Sequence, residues 1–198
     1  MEHFIFDVDG TLTPSRGKID SEFAKWFLEF CNNNNVYLVT GSDRPKTLEQ
    51  VGDDIYNAAK RVYNCSGSDV YEADKNVYTS DWSLPHEAEQ WLREELAASK
   101  FPLRTGLHIE DRPGMVNFSV VGRNATMGER QLYVKHDTAT EERYTIAEFF
   151  EKKFPDIQAV VGGDTGIDIY PKGADKSQIL RDFDIDNDFI NFYGDKMD

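Results

Sequence analysis

Short apolar runs alternate with helical stripes along the first third of the chain. Residues 3–7 (HFIFD) form a near-continuous apolar run that ends on a carboxylate, the pattern of a buried strand. After Asp20-Ser21, a pair able to cap a helix, Phe23, Trp26, Phe27 and Phe30 recur at helical spacing. The NNNN tract at 32–35 ends that helix as a turn. Residues 36–39 (VYLV) form a second buried run, followed by Thr40-Gly41-Ser42-Asp43 and a helix that reaches about Lys60. Strand, helix, strand, helix at this spacing predicts parallel pairing through right-handed crossovers, and so an α/β core.

The pattern changes in the middle. Residues 82–98 predict an amphipathic helix with Ala88, Trp91, Leu92 and Leu96 on one side. Short strands are expected at 107–110 and 116–121, a helix at 146–153, and further strands at 158–161 and 167–170. This is the pattern of an antiparallel sheet backed by helices, an α+β insert. From Gly173 the opening style returns, with a helix over 175–181 and a buried strand over 189–193 that runs into GDKMD. The expected organisation is a parallel-sheet α/β core, residues 1–79 and 173–198, interrupted by an α+β domain at 80–172. No internal repeat is present.

Composition narrows the partners. The 198 residues are 39% hydrophobic, enough for a sizeable core, and carry a net charge of −14 with no basic block. Nucleic acid and anionic membrane surfaces are excluded as partners, because phosphate backbones need a positive footprint. Any phosphate must then be held locally, by a few arginines or a metal. No apolar run approaches the ~18 residues of a membrane span, and Met1 leads directly into the first strand. Neither a signal peptide nor a membrane span is expected, and the location expected is cytoplasmic. Cys31 and Cys65 lie far apart without a CxxC, consistent with two reduced, buried thiols. DFDIDNDFINFY resembles the start of a calcium loop but has Asn187 at position six and Tyr193 at position twelve, so it is rejected.

The candidate chemistry lies at the strand ends. Open parallel sheets bind ligands beyond the carboxyl ends of their strands, where both Asp7-Val8-Asp9-Gly10 and Thr40-Gly41-Ser42-Asp43 fall. Two carboxylates one residue apart are unfavourable unless a cation lies between them or one is protonated. Magnesium, which prefers oxygen ligands and bridges carboxylates to phosphate, meets that need. A second acidic loop, FYGDKMD, can bring Asp195 to the same ion.

FDVDGTLT, VTGSD, Lys176 in GADK and YGDKMD resemble, in order and spacing, the four motifs of the haloacid dehalogenase superfamily. Within it, IEDRPGMVNFSVVGRNATMGER and VGGDTGIDIYPKGADK resemble the cap of the eukaryotic-type phosphomannomutase family. The resemblance implies a Rossmann-like core with an inserted α+β cap, and hinges near residues 80 and 172. It implies that Asp7 is the nucleophile that forms an aspartyl-phosphate, and Asp9 the general acid and base. Mg2+ would be held by Asp7, the backbone carbonyl of Asp9 and Asp195. Ser42, with Thr40 as the alternative, would hydrogen-bond the phosphoryl oxygens, and Lys176 would neutralise nucleophile and phosphate. Arg112, Arg123 and Arg130 match the positions of a clamp for the non-reacting phosphate, and Arg16 matches a fourth near the core. Asn117 and Asp168 would contact phosphate and sugar hydroxyls.

The implied reaction interconverts mannose 6-phosphate and mannose 1-phosphate, with a hexose bisphosphate as activator and glucose phosphates as further substrates. A sugar-phosphate phosphatase on the same scaffold is the alternative, and a non-catalytic binding module the third. A homodimer through the cap is implied by the family alone. The chain departs from the family pattern at Gly166, where the family has a serine, and at its end. The pattern continues beyond Asp198 through a second acidic residue and a closing strand and helix, so a truncated or a short protein is expected, with Asp198 a partial substitute.

Overall fold

The computed structural model describes residues 1–14 and 17–195, and the chain divides into two units, Met1–Ser80 with Gly173–Asp198, and Asp81–Lys172. The first unit contains β1 (Glu2–Asp7), α1 (Ser21–Asn33), β2 (Val36–Val39), α2 (Arg44–Val51), α3 (Asp53–Ala58), β3 (Arg61–Asn64), β4 (Asp69–Glu72), β5 (Lys75–Thr79) and β10 (Phe189–Tyr193). Its six-stranded sheet has the order β10-β1-β2-β3-β4-β5. The first four of these strands pair in parallel, and β4 and β5 add an antiparallel hairpin that the apolar pattern does not announce.

β1 alternates: His3, Ile5 and Asp7 are buried on one face, while Phe4 and Phe6 meet α1 edge-on through Phe30 and Phe27 at 5.2 and 5.0 Å. α1 begins where the Asp20 carboxylate accepts the amides of Glu22 and Phe23. Its aromatic stripe is not all core: Phe27 and Cys31 are buried, whereas Trp26 is 56% exposed. The single helix expected to reach Lys60 is two, because Gly52 adopts φ +81° between α2 and α3.

β10 corrects a second expectation. Among the described residues it lies at the sheet edge beside β1, and Phe189, Phe192 and Tyr193 are exposed rather than buried. The segment expected as a helix over 175–181 is a 3-10 helix, Lys176–Asp182.

The second unit contains α4 (His86–Ala98), β6 (Ile109–Arg112), β7 (Met115–Phe118), α5 (Met127–Thr140), α6 (Glu142–Lys153), β8 (Ile157–Gly162) and β9 (Gly166–Pro171). The antiparallel sheet has the order β6-β7-β9-β8. Val116, Phe118, Ile157, Ala159, Ile167 and Ile169 form its core face against Leu92, Tyr133, Ile146 and Phe150 of the helices. Strand alternation puts Glu110, Asn117 and Asp168 on the opposite face. The strand expected over 116–121 stops at Phe118, and residues 119–123 run beside 105–108 through isolated hydrogen bonds. α5 was not expected at all. Among the described residues, no helix is long and apolar enough to cross a membrane.

Candidate active site

β1 and β10 run side by side in parallel, with Phe6 opposite Tyr193, so the loops beyond their carboxyl ends are neighbours. The turn after β1 is tied to one acceptor: the amides of Thr11, Leu12 and Thr13 all point to the Val8 carbonyl. Gly10 sits within it at φ +80°, and a Cβ there would fall 2.5 Å from Asp195 Oδ2. The Asp195 carboxylate therefore lies directly on the Gly10 backbone, where only glycine fits. At Gly194 a Cβ would lie 3.8 Å from the Asp7 Cβ. Gly194 and Asp195 therefore lie against the end of β1 and the turn that follows it.

Asp7 is buried and bonded on both oxygens. Its Oδ1 accepts the Val8 amide at 2.8 Å and its Oδ2 accepts Lys176 Nζ at 2.6 Å. Lys176 opens the 3-10 helix, which is seated on the turn after β3: Gln178 donates to the Ser66 carbonyl at 2.8 Å and Arg181 to that of Gly67 at 2.7 Å. In that turn Cys65 and Ser66 take left-handed backbone angles of +47° and +58°, and their amides donate to the carbonyls of Ser42 and Thr40. The lysine helix and the Thr40–Ser42 loop thus share one brace.

Asp9 meets a different set of side chains. Gln50 Nε2 donates to its Oδ1 at 2.9 Å, and the Thr40 and Ser42 hydroxyls lie 3.5 Å from its Oδ2, at the weak limit of a hydrogen bond. Thr40 is fully buried and its oxygen accepts the Ser42 amide, whereas Ser42 is half-buried. Of the two hydroxyls, that of Ser42 is the one open to a ligand.

Among the described residues, no group of three His, Cys, Asp or Glu side chains is arranged to enclose a metal. The loop junction brings two carboxylates, Asp7 and Asp195, near the same turn. That hard-oxygen set fits magnesium, which takes one or two carboxylates, keeps several waters and takes substrate phosphate as a ligand.

The second unit holds its own polar face. Glu110, Asn117 and Asp168 are register partners across β6, β7 and β9. Asn117 donates to Asp168 Oδ1 at 2.6 Å, and a Cβ at Gly166 would lie 2.7 Å from Asn117 Nδ2. A side chain at 166 would therefore require the Asn117 amide to shift. Arg112 and Arg123 converge on one carboxylate oxygen, Glu110 Oε2. Arg123 reaches it from a loop held by Gly122, whose φ of +95° and close approach to the Thr105 backbone leave no room for a Cβ. Arg130 stands half-buried on the first turn of α5, which Thr126 and Glu129 cap reciprocally.

Asp7, Asp9, Lys176, Ser42 and Asp195 are thus brought together in the first unit, and Arg112, Arg123, Asn117 and Asp168 in the second. Arg16 and Asp198 lie outside the described residues. Sequence reasoning missed Gln50 and Glu110. The i, i+2 spacing of Glu110 and Arg112 on an alternating strand was the available signal for the latter, and Gln50 carried none.

A family model described as eukaryotic phosphomannomutase matches residues 23–198. The phosphomannomutase of Saccharomyces cerevisiae is 32% identical over 207 residues, 97% of this chain and 79% of the relative. That of Spinacia oleracea is 33% identical over 201 residues, 97% of this chain and 80% of the relative. Among solved structures, the C-terminal domain of Candida albicans trehalose-6-phosphate phosphatase aligns with a TM-score of 0.65 at 18% identity, covering 98% of this chain and 70% of that one. A haloacid dehalogenase-like hydrolase from Bacteroides thetaiotaomicron aligns at 0.57 and 14% identity, covering 91% and 76%. At those identities the likeness is one of fold.

Proposed function

The chain belongs to the eukaryotic phosphomannomutase family, and we propose that it interconverts mannose 6-phosphate and mannose 1-phosphate through an aspartyl-phosphate on Asp7. The observation that carries this reading is the Asp7–Lys176 contact of 2.6 Å at the tip of β1, with a second carboxylate, Asp9, two residues on. Phosphoryl transfer needs positioning and charge stabilisation more than covalent chemistry, and this arrangement supplies both.

An Asp7 oxygen attacks phosphorus as the bond to the sugar oxygen breaks, and Asp9, as general acid, gives that oxygen a proton. In the return step Asp9 takes the proton of the acceptor hydroxyl, which attacks the aspartyl-phosphate and frees Asp7. Lys176 offsets the charge gathered on nucleophile and phosphate, and the Ser42 hydroxyl donates to a phosphoryl oxygen. A magnesium ion held by Asp7, Asp195 and the Asp9 carbonyl would add charge neutralisation and align the phosphate. Arg112, Arg123 and Arg130 grip the phosphate that does not react, in either orientation of the sugar, because a guanidinium fork matches phosphate oxygens in pairs. A hexose bisphosphate primes Asp7. The buried thiols of Cys31 and Cys65 suit a reducing, cytoplasmic setting.

A phosphatase reading is favoured by one feature. Gly166 presents no hydroxyl beside Asp168, so a sugar contact is missing and water can serve as acceptor. A coupled assay with mannose 1-phosphate separates the two. Activation by a hexose bisphosphate with little phosphate released supports isomerisation, and steady phosphate release regardless of activator overturns it.

A further inference from the structure

We propose that Glu110 is a positioning residue of the phosphate clamp, an internal anion that holds Arg112 and Arg123 in place and weakens their grip on substrate; this rests on the clamp reading above. Its Oε2 accepts Arg112 Nε at 3.0 Å and Nη2 at 2.5 Å, and Arg123 Nε lies 3.1 Å from the same oxygen. Both arginine side chains are only 14% exposed, whereas that of Glu110 is 31% exposed. Two guanidinium groups this close repel one another, and the shared carboxylate offsets that repulsion.

A carboxylate and a phosphate present the same paired oxygens to a guanidinium. Glu110 thus uses two Arg112 N–H groups that an incoming phosphate needs, and it pairs with the Arg123 charge at 3.1 Å. Phosphate entry sets it against a like charge, and the carboxylate moves towards solvent, where its partial exposure already places one edge. Each arginine is prearranged and each is contested.

The consequence suits a reaction that must let go. An enzyme that returns the same sugar in the opposite orientation has to release one phosphate from the clamp and accept the other. Glu110 competes for the arginines at that moment, so its charge raises KM and speeds release.

Glu110→Gln keeps the shape and an acceptor oxygen but removes the charge. The expected result is a KM for mannose 1-phosphate lowered roughly fivefold, the scale of one partly screened charge, together with a lower kcat for bisphosphate-activated isomerisation. Glu110→Ala is expected to move KM in the same direction. A purely structural role would raise KM in both variants, and an unchanged or raised KM in both overturns the proposal. Arg123→Ala run alongside tells the two readings apart. If it raises KM at least tenfold while Glu110→Gln does nothing, the role of Glu110 alone fails. If Arg123→Ala leaves KM unmoved, the clamp itself fails and the role of Glu110 with it.

Discussion

Asp7 has both carboxylate oxygens bonded before any substrate arrives, one by its own neighbour's amide and one by a lysine 169 positions away. Asp7→Asn keeps an acceptor for the Val8 amide but removes both the proposed nucleophile and the charged partner of Lys176. Turnover should fall by at least about three orders of magnitude, while far-ultraviolet circular dichroism stays that of the parent. Retention of more than a few per cent of the activity would exclude Asp7 as the nucleophile. Asp7, Asp9 and Lys176 were legible as candidates because the motifs they match follow a fixed order along the chain, and folding sets Lys176 2.6 Å from Asp7. Gln50 and Glu110 were not, because a neutral amide in one helix and an acid on a strand become informative only when folding sets them against Asp9 and two arginines.

Asp69 tests a different residue-level point. Burial pushes its carboxyl above the ordinary value, even though Asn76 and Thr79 both donate to it. The folded chain therefore holds this proton more tightly than the unfolded one, and stability is lost as pH rises from about 4 through the raised value. Asp69→Asn removes that loss. The difference in melting temperature, variant minus parent, should grow more positive between pH 4 and pH 7. A difference that stays flat or shrinks would contradict the assignment.

At the scale of elements, α5 shows where periodicity stops working. Its buried positions are Tyr133 and Asp137, so a buried charge stands where an apolar residue would have marked the stripe. Asp137 is buried because Arg143, at the start of α6, pairs with it at 2.8 Å and donates onward to the carbonyls of Gly163 at 3.0 Å and Gly166 at 3.2 Å. That one guanidinium fastens α5, α6 and the turn between β8 and β9, the turn that sets Gly166 and Asp168. Arg143→Met should cost about 3–5 kcal/mol, the usual penalty for orphaning a buried partner, read from urea unfolding. The double variant Arg143→Met with Asp137→Leu should recover much of it. If the single variant loses under 1 kcal/mol, the pair is not what holds the turn. The strands of this unit were readable from their alternation, but the loops that carry Arg123 were not, since Gly122 and its close approach to Thr105 leave no periodic trace.

At the scale of the whole chain, a protein with a net charge of −14 has to concentrate positive charge wherever it meets phosphate. In the first unit Lys176 brings that charge to Asp7, and the proposed magnesium at the junction of the β1 and β10 loops would add to it, so ligand linkage should report on the whole fold of that unit. Magnesium with beryllofluoride, which mimics an aspartyl-phosphate, binds only if Asp7, Lys176 and the Asp195 loop act together. A ligand at a hundred times its dissociation constant adds about 2.7 kcal/mol. Each kcal/mol moves the melting temperature of a chain this long by about 2–4 °C, so the combined shift should be roughly 5–10 °C. Beryllofluoride without magnesium should give little of it, Asp7→Asn none of it, and Asp195→Ala a clearly smaller part. The last variant is the discriminating one. Asp195 rests on Gly10, so its removal opens space at the turn without touching the nucleophile, and a full shift in Asp195→Ala would mean that the metal is held without β10.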